Sequence, residues 1–501
     1  MTLQGLLDRG LGDRAALRIP DGAELTYGDL RRAAAKVARH VSALAVQPGE
    51  SVAASFGNGP EILAAFFGVA EARAAYAPLN SAYTEGEFRF YLEDIGPKLL
   101  YLSPGGTAAA RAAAAALGIP VVDLWFEAVD LRFGGAATAQ GEARHATPDD
   151  VALFLHTSGT TSRPKGVPLT HGNLIASARN IQRWYGIAAS EVTYCVMPLF
   201  HVHGLVFSVL AHLAAGAKVV MPERFSATVF WHHVRAYGAT NVSAVPTIYR
   251  TLLLRAEEDG APAPGGHTLR FMRSSSAPLP ARDMLRLEER FGAPVIEAYS
   301  MTEAAHQMCA NPLEGERRPG SAGVGAYVDV TILDAAGDAC RPGTVGEVAV
   351  RGTNVMRGYR NNPEANALAF ANGWFRTGDW GTLSSDGYLT LVGRLKELIN
   401  RAGEKISPVE IDDVLVSHPG VAEAVAFAIA DEKYGEAVGA ALVLRDGTTV
   451  ADVLAHAGTR LAPFKIPTAV YVLEAIPRTA TGKVQRRIVA ESLKDRAPSE
   501  T

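Results

Sequence analysis

Short apolar runs alternate with helical patterns through most of the chain. Segments 51–56, 99–102 and 217–221 are short and rich in apolar residues, which is typical of buried strands. Segment 61–71 has a helical pattern, and Pro60 stands directly before it, where helices often begin. This alternation predicts an α/β fold of layered, largely parallel sheets.

The pattern changes in the last third of the chain. Strand-like stretches at 328–333 and 346–351 are separated by turn residues, which predicts a small antiparallel β unit. A charged, polar link follows at 395–405, and beyond it lies an α/β pattern of about 100 residues, the size of a domain. We place the boundary near Lys396, which predicts a large N-terminal domain of residues 1–395 and a smaller C-terminal α/β domain of residues 396–501.

Length and composition narrow the class of protein. A chain of 501 residues is too long for one ordinary core. Its formal net charge of -4 gives no basic patch for nucleic acid, and no apolar run approaches the length of about 20 residues that spans a membrane. Three scattered cysteines form no disulfide or zinc pattern. We expect a cytoplasmic protein with no signal peptide and no nucleic-acid or membrane partner, while nothing indicates its oligomeric state.

The most informative motif follows the apolar run 151–155. It reads His-Thr-Ser-Gly-Thr-Thr-Ser-Arg-Pro-Lys-Gly-Val from His156 to Val167. Backbone N–H groups, hydroxyls and one cation suit a polyphosphate, although the Gly-Lys-Ser/Thr ending of the usual P-loop is missing. The candidate phosphate-binding residues are Thr157, Ser158, Gly159, Thr160, Thr161 and Lys165. The alternative is a solvated, hydroxyl-rich turn.

Four further motifs carry groups that a nucleotide needs. In segment 297–303, Tyr299 can lie against adenine, Thr302 offers a hydroxyl to a phosphate, and Glu303 offers an oxygen ligand to Mg²⁺. An ordinary strand-to-helix turn is the alternative. Of the other three motifs, one has Asp379 after a glycine, where its carboxylate suits ribose hydroxyls. The next has Arg394 with Lys396, and the last has Lys483 on a glycine turn. The alternatives are an Asx-type turn at Asp379, a surface turn at Arg394 and Lys396, and a solvated side chain at Lys483.

These five motifs, in this order, resemble the adenylate-forming superfamily of acyl-CoA synthetases, luciferases and peptide-synthetase adenylation domains. The resemblance covers nearly the whole chain, and it departs at Ser162, where many relatives have glycine. It implies an ATP-dependent, AMP-forming acid–thiol ligase that uses Mg²⁺ and has coenzyme A as acceptor.

The resemblance also implies a role for each motif. Lys165 and its loop hold the β- and γ-phosphates, Ser276 and Ala277 border adenine, and Thr302 and Glu303 hold the α-phosphate and Mg²⁺. Asp379 and Arg394 hold the ribose, and Lys483 bridges the carboxylate and the α-phosphate. The C-terminal domain is then mobile: it rotates about the hinge Lys396, removes Lys483 and brings the loop of Gly403 to the pantetheine tunnel.

Three segments, 197–204, 271–278 and 304–308, bear on the acid substrate. His201 matches the position that lies beside the carboxylate in the superfamily. The polar residues His203, Arg273, Ser274, Ser275 and His306 predict a pocket for a small or second carboxylate. The alternatives are loop residues facing solvent, a core role for His203, or a metal pair of His201 and His203 on a strand.

The runs 273–278, 297–311 and 397–411 are similar to those of oxalyl-CoA synthetases, so oxalate is the favoured substrate. The alternatives are another acid, a carrier protein as acceptor, nitrite activation for diazotisation of an aryl amine, and a nucleotide-binding protein that has lost catalysis.

Lys483→Ala should abolish adenylate formation and spare thioester formation from a supplied acyl-adenylate. The lysine's charge faces the transition state of only the first half-reaction. Pyrophosphate release and thioester formation, measured separately, check this division of roles, and equal loss of both would contradict it.

Overall fold

The computed structural model describes residues 1–135, 141–142, 144–157, 164–258, 264–394, 396–402, 404–478 and 484–499. Its strands, in chain order, are β1 Ala15–Arg18, β2 Glu24–Thr26, β3 Ser51–Ser55, β4 Ala75–Pro78, β5 Leu100–Leu102, β6 Val121–Glu127, β7 Asp130–Phe133, β8 Val151–Thr157, β9 Lys165–Thr170, β10 Val192–Tyr194, β11 Lys218–Val220, β12 Asn241–Ala244, β13 Phe271–Ser275, β14 Val295–Met301, β15 His306–Ala310, β16 Val324–Gly325, β17 Asp329–Leu333, β18 Gly346–Arg351, β19 Phe370–Ala371, β20 Trp374–Leu383, β21 Leu389–Arg394, β22 Ile399–Arg401, β23 Glu404–Ile406, β24 Val421–Asp431, β25 Gly435–Leu444 and β26 Ala469–Val472.

The α-helices are α1 Gln4–Leu7, α2 Tyr27–Ala43, α3 Pro60–Glu71, α4 Glu85–Ile95, α5 Ala108–Ala116, α6 His171–Trp184, α7 Ala211–Ala214, α8 Phe230–Ala236, α9 Pro246–Glu258, α10 Ala281–Phe291, α11 Pro363–Ala369, α12 Pro408–Val416, α13 Val450–Gly458 and α14 Arg486–Leu493. A π-helix spans His203–Leu210, and 3₁₀ turns span Thr302–Ala304 and Pro463–Lys465. None of the helices in the described ranges is long and apolar enough to cross a membrane.

The described strands form four sheets. A nine-stranded sheet has the order β16-β15-β14-β13-β12-β10-β11-β1-β2, and a seven-stranded sheet has the order β7-β6-β5-β3-β4-β8-β9. Both are parallel in the middle and antiparallel at their edges. Strands β17 to β21 form a small antiparallel sheet, and β22 to β26 form a fourth sheet. The predicted fold class, α/β layers with a small β unit and a smaller C-terminal α/β part, is confirmed.

The hydrophobic core follows this division. The largest cluster of buried side chains joins the two large sheets to helices such as α2, α3 and α6. Residues from Ile399 to Val470 supply a separate cluster in the fourth sheet and its helices, with Ile411 and Leu415 of α12 at its centre. The predicted boundary near Lys396 falls between β21 and β22, where the chain passes from one core to the other.

Helices α2 and α3 pack closely because Gly68 has no side chain. A Cβ at Gly68 would lie 2.4 Å from Cβ of Val37 and 2.5 Å from the carbonyl oxygen of Ala34, both on α2. Neither neighbour can withdraw without moving the helix. A methyl group there would therefore force the two helices apart.

Gly68→Ala should lower the free energy of unfolding of the N-terminal part by about 1–3 kcal/mol. The matched control is Gly86→Ala, because Gly86 is also helical and a Cβ there meets nothing within 4 Å. The control should be neutral or stabilising by up to about 1 kcal/mol. Thermal and urea unfolding compare the two, and equal stability of both variants would contradict the packing argument.

Candidate active site

Candidate residues 273–277 and 299–303 lie on β13 and β14 or directly after their carboxyl ends, the usual edge for ligands in open α/β sheets. Strand β14 runs to Met301 and pairs with β15 along its second half. Tyr299 therefore lies on a strand, and Thr302 and Glu303 begin a buried 3₁₀ turn rather than an ordinary helix.

A buried carboxylate marks the expected ribose end of the site. Asp379 of β20 lies directly opposite Arg394 of β21, and Nε of Arg394 is 3.2 Å from Oδ1 of Asp379. The hydroxyl of Tyr299 donates to Oδ2 of the same carboxylate. Asp379 raises the pKa of Arg394, while burial raises the pKa of Tyr299 well above its ordinary value. Asp379 and Arg394 both lie in paired strands, whereas Lys396 lies in an exposed turn directly after β21, so the surface-turn alternative still holds for Lys396.

The expected phosphate end includes the ammonium of Lys165 and the buried carboxylate of Glu303. Lys165 is the first residue of β9 and pairs across the hairpin with Thr157, the last residue of β8. Burial lowers the pKa of Lys165, and so does nearby Lys396, whereas Glu303 raises it. Glu303 is 5% exposed, and burial raises its pKa. A single buried carboxylate oxygen fits Mg²⁺, which commonly takes one or two protein carboxylates together with substrate phosphates and water.

Six predicted site residues lie outside the described residues. They are Ser158, Gly159, Thr160 and Thr161 of the phosphate loop, Gly403, and Lys483. Their assigned roles stay predictions. Lys396 is described, and it is exposed between β21 and β22.

The turn expected to border adenine follows β13. Ser276 has φ +73°, in the left-handed region, and it and Ala277 are half-buried. A buried carboxylate stabilises the segment after this turn, because Oε1 of Glu297 accepts a hydrogen bond of 3.0 Å from the N–H of Leu279. Burial raises the pKa of Glu297 to about 8.

Arg273 forms the centre of a buried polar layer behind this turn. Its side chain is fully buried, and its guanidinium donates to the Tyr185 hydroxyl at 3.0 Å, to Oγ of Ser243 at 3.0 Å and to Oε1 of Gln307 at 3.1 Å. The guanidinium carbon also lies 4.5 Å from the ring centre of Phe207. Within the described part of the chain, Arg273 forms no ion pair with an acidic side chain.

His203 continues the layer toward the turn. Its Nε2 lies 2.7 Å from Oγ of Ser243, and its Nδ1 lies 3.0 Å from Oγ of Ser276. The buried ring of His306 stacks against His203 with 5.1 Å between centres. His201 is half-buried and precedes the π-helix that begins at His203, so the two histidines are not on a strand. No group of three or more potential metal ligands occurs among the described residues.

The serines are not loop residues facing solvent. Ser274 and Ser275 lie on β13 and are fully buried. Oγ of Ser275 donates to the carbonyl of Ala298 at 2.9 Å and lies 2.9 Å from Oγ of Ser300. Ser275 thus joins β13 to β14, whereas Oγ of Ser274 has no hydrogen-bond partner among the described residues.

Sequence reasoning missed three residues that the structure brings into the site. Tyr185 and Ser243 hold the guanidinium of Arg273, and Tyr359 contacts both Glu303 and Lys165. Tyr185 and Ser243 lie in segments with no ligand pattern. Tyr359 follows a glycine, and that pair alone does not distinguish a site residue from a turn.

With this geometry in place, comparison with known proteins identifies the family. Residues 8–360 match the AMP-binding enzyme family and residues 410–483 match the AMP-binding enzyme C-terminal domain. The chain belongs to this adenylate-forming family, and it is an ATP-dependent, AMP-forming acid–CoA ligase.

Several curated relatives cover nearly the whole chain. An oxalate–CoA ligase of Arabidopsis thaliana is 48% identical over 98% of this chain and 98% of its own length. A probable CoA ligase of Humulus lupulus is 48% identical over 98% of this chain and 96% of its own length. A sulfoacetate–CoA ligase of Cupriavidus necator is 37% identical over 95% of this chain and 94% of its own length.

Solved structures share the fold. ATP-bound MatB from Rhodopseudomonas palustris has a TM-score of 0.90 and 30% identity, covering 99% of both chains. An O-succinylbenzoate coenzyme A synthetase from Bacillus subtilis, in complex with ATP and magnesium ion, has a TM-score of 0.86 and 30% identity, covering 97% of this chain and 99% of its own.

Glu297→Gln should make the protein less sensitive to alkaline pH. The folded pKa of about 8 exceeds the ordinary value of 4.5, so the native state holds a proton that the unfolded chain releases. The stability contributed by this group is therefore present below about pH 4.5 and lost as pH rises toward 8. The glutamine oxygen can still accept from Leu279 and remains neutral.

Melting curves at pH 5 and pH 8.5 measure the difference. The variant should gain up to about 4 kcal/mol over the parent at the higher pH and little at the lower pH. Parallel pH dependence of the two proteins would show that Glu297 is not a buried neutral acid.

Proposed function

We propose that the chain is an AMP-forming oxalate–CoA ligase with two domains, residues 1–395 and 396–501. One oxalate carboxylate attacks the α-phosphorus of ATP and displaces pyrophosphate, giving oxalyl-adenylate. The thiol of coenzyme A then attacks the acyl carbon, loses its proton and displaces AMP. No side-chain nucleophile is required, so catalysis depends on positioning and charge stabilisation.

The observation that carries the choice of acid is the hydrogen-bonded chain from Arg273 through Ser243 and His203 to Ser276. Arginine only donates, so Oγ of Ser243 accepts from Arg273. We assign the Ser243 proton to Nε2 of His203, the tautomer in which every group of the chain donates to the next. Nδ1 of His203 then carries a proton and donates to Oγ of Ser276. In this proposal the turn at Ser276 borders adenine, while the Ser276 hydroxyl keeps its own proton and donates it toward the acid, where an anion is the natural acceptor.

The charge balance supports a small dianion over a fatty acid. The buried guanidinium of Arg273 has no acidic partner in the described residues, so the layer beneath the turn is positively charged. An acyl chain placed against it would bury a charge and several polar groups without compensation. The names of the relatives agree: oxalate and sulfoacetate are both small and both carry a second acidic group.

Each of the remaining predicted residues has its own role in the proposed reaction. Asp379 and Arg394 orient the ribose, Lys165 neutralises the β- and γ-phosphates, and Thr302 donates to the α-phosphate. Glu303 holds Mg²⁺, which would supply charge neutralisation for the triphosphate. His201 lies beside the reacting carboxylate, and Lys483 approaches it and the α-phosphate. Rotation about Lys396 then exchanges Lys483 for the loop of Gly403.

Pyrophosphate release with Mg-ATP, with and without coenzyme A, tests the acid. The panel holds oxalate, malonate, sulfoacetate, acetate, a medium-chain fatty acid, a cinnamate and nitrite. We expect turnover that depends on coenzyme A and is strongest with oxalate. Strongest turnover with another acid discards oxalate but keeps the ligase, and turnover with nitrite alone indicates diazotisation chemistry.

Ser243→Ala adds a second test, because it interrupts the hydrogen-bonded chain at a residue that is not among those assigned to the nucleotide. The KM for oxalate should rise about tenfold while the KM for ATP stays within about twofold. Ser417→Ala is the matched control: Oγ of Ser417 lies 2.7 Å from Nε2 of His456 on the exposed C-terminal part. An unchanged KM for oxalate in Ser243→Ala would contradict the assigned role of the chain.

A further inference from the structure

The segment Met356–Arg360, which we name the 356–360 strap, crosses the phosphate end of the site and is tied at both ends. The N–H of Met356 donates to the carbonyl of Glu303 at 2.7 Å. The N–H of Arg360 donates to the carbonyl of Gly166 at 3.0 Å, one residue after Lys165. The strap therefore connects the turn that carries Glu303 to the strand that carries Lys165.

Tyr359 projects from the strap between these two charged groups. Its side chain is buried, and its hydroxyl donates to Oε1 of Glu303 at 3.0 Å. Nζ of Lys165 lies 4.6 Å from the centre of its ring, a favourable distance for an ammonium over an aromatic face. Both charged residues are described, and no ion pair joins them directly.

The backbone of Tyr359 is fixed as firmly as its side chain. Its N–H donates to Oδ1 of Asn366 at 2.7 Å, and its carbonyl accepts from Nδ2 of the same amide at 3.0 Å. The preceding Gly358 has φ +151°, and a Cβ there would lie 3.0 Å from Oδ1 of Asn366. The position of the ring is thus set by contacts that do not involve the nucleotide.

We propose that Tyr359 is a positioning residue of the ligase, holding Glu303 and Lys165 apart for the metal ion and the phosphates respectively. Opposite charges in a buried site attract each other strongly, and a direct pair would occupy the groups that the ligand needs. The hydroxyl occupies one oxygen of Glu303 and leaves the other to bind the metal ion. The ring keeps the ammonium near the phosphate loop without neutralising it.

Two substitutions separate the contacts of Tyr359. Tyr359→Phe keeps the ring under Lys165 and removes the donor to Glu303, whereas Tyr359→Leu removes both. The measurement is the Kd of ATP by calorimetry, with Mg²⁺ and with a chelator, in the absence of acid and coenzyme A. This readout needs no turnover and does not depend on which acid the enzyme uses.

Tyr359→Phe should raise the Kd of Mg-ATP about tenfold, the usual effect of losing a hydrogen bond to a metal-binding carboxylate. Its Kd for metal-free ATP should stay within about twofold, because the contact with Lys165 remains. Tyr359→Leu should raise the Kd for metal-free ATP as well, by about fivefold. A tyrosine with only a structural role would change the Kd of ATP equally with and without Mg²⁺.

Tyr388→Phe is the matched control. Its hydroxyl donates to the carbonyl of Glu316 at 2.7 Å, and the guanidinium carbon of Arg318 lies 3.8 Å from its ring centre. It should bind ATP as the parent does under both conditions. Melting curves confirm folding, and if Tyr359→Leu does not fold, the Phe variant alone decides. Equal effects of Tyr359→Phe with and without Mg²⁺, or no effect in either, would overturn the proposal.

Discussion

The carboxylate of Asp379 joins three parts of the molecule that are distant in sequence. Tyr299 reaches it from the nine-stranded sheet, Arg394 reaches it from the next strand of the small sheet, and the chain leaves for the C-terminal part directly after Arg394. A carboxylate accepts about four hydrogen bonds, which suits the ribose hydroxyls expected at this residue. The same interaction therefore ties the small sheet to the nine-stranded sheet at the predicted ribose end, directly before the predicted hinge.

The phosphate end is organised by burial of charge. Burial disfavours the ionised forms of both Glu303 and Lys165, as the directions of their pKa values show. In the proposed function, a metal ion held by Glu303 would favour its ionised carboxylate, and phosphate beside Lys165 would favour its ionised ammonium. Because the surroundings screen charges less than water does, these contacts would be stronger than at the surface. Lys396 adds to this balance, since its charge acts on Lys165 from the predicted hinge.

Much of this was predictable from local chemistry. Hydrophobic alternation indicates the layered sheets, and Lys165, Glu303 and Asp379 stand out because their motifs place phosphate, metal and hydroxyl ligands in a known order. The length of β14 was not predictable, because its second half is a strand only through pairing with β15. Ser274 and Ser275 have the composition of a loop and are buried only because β13 lies between two neighbours. The π-helix at His203 requires one extra residue per turn, which leaves no mark in the pattern of apolar positions.

Arg273 shows why a site can be specific without a direct contact. Burying a guanidinium costs several kcal/mol unless its donors are satisfied. Tyr185, Ser243 and Gln307 satisfy them, yet all three are neutral, so the positive charge itself is not cancelled. Such an arrangement lowers the free energy of unfolding relative to a neutral residue at the same buried position. In the proposed function this charge acts on the acid: it would favour a second negative group and disfavour an apolar chain, which is discrimination against the wrong substrate as much as attraction of the right one.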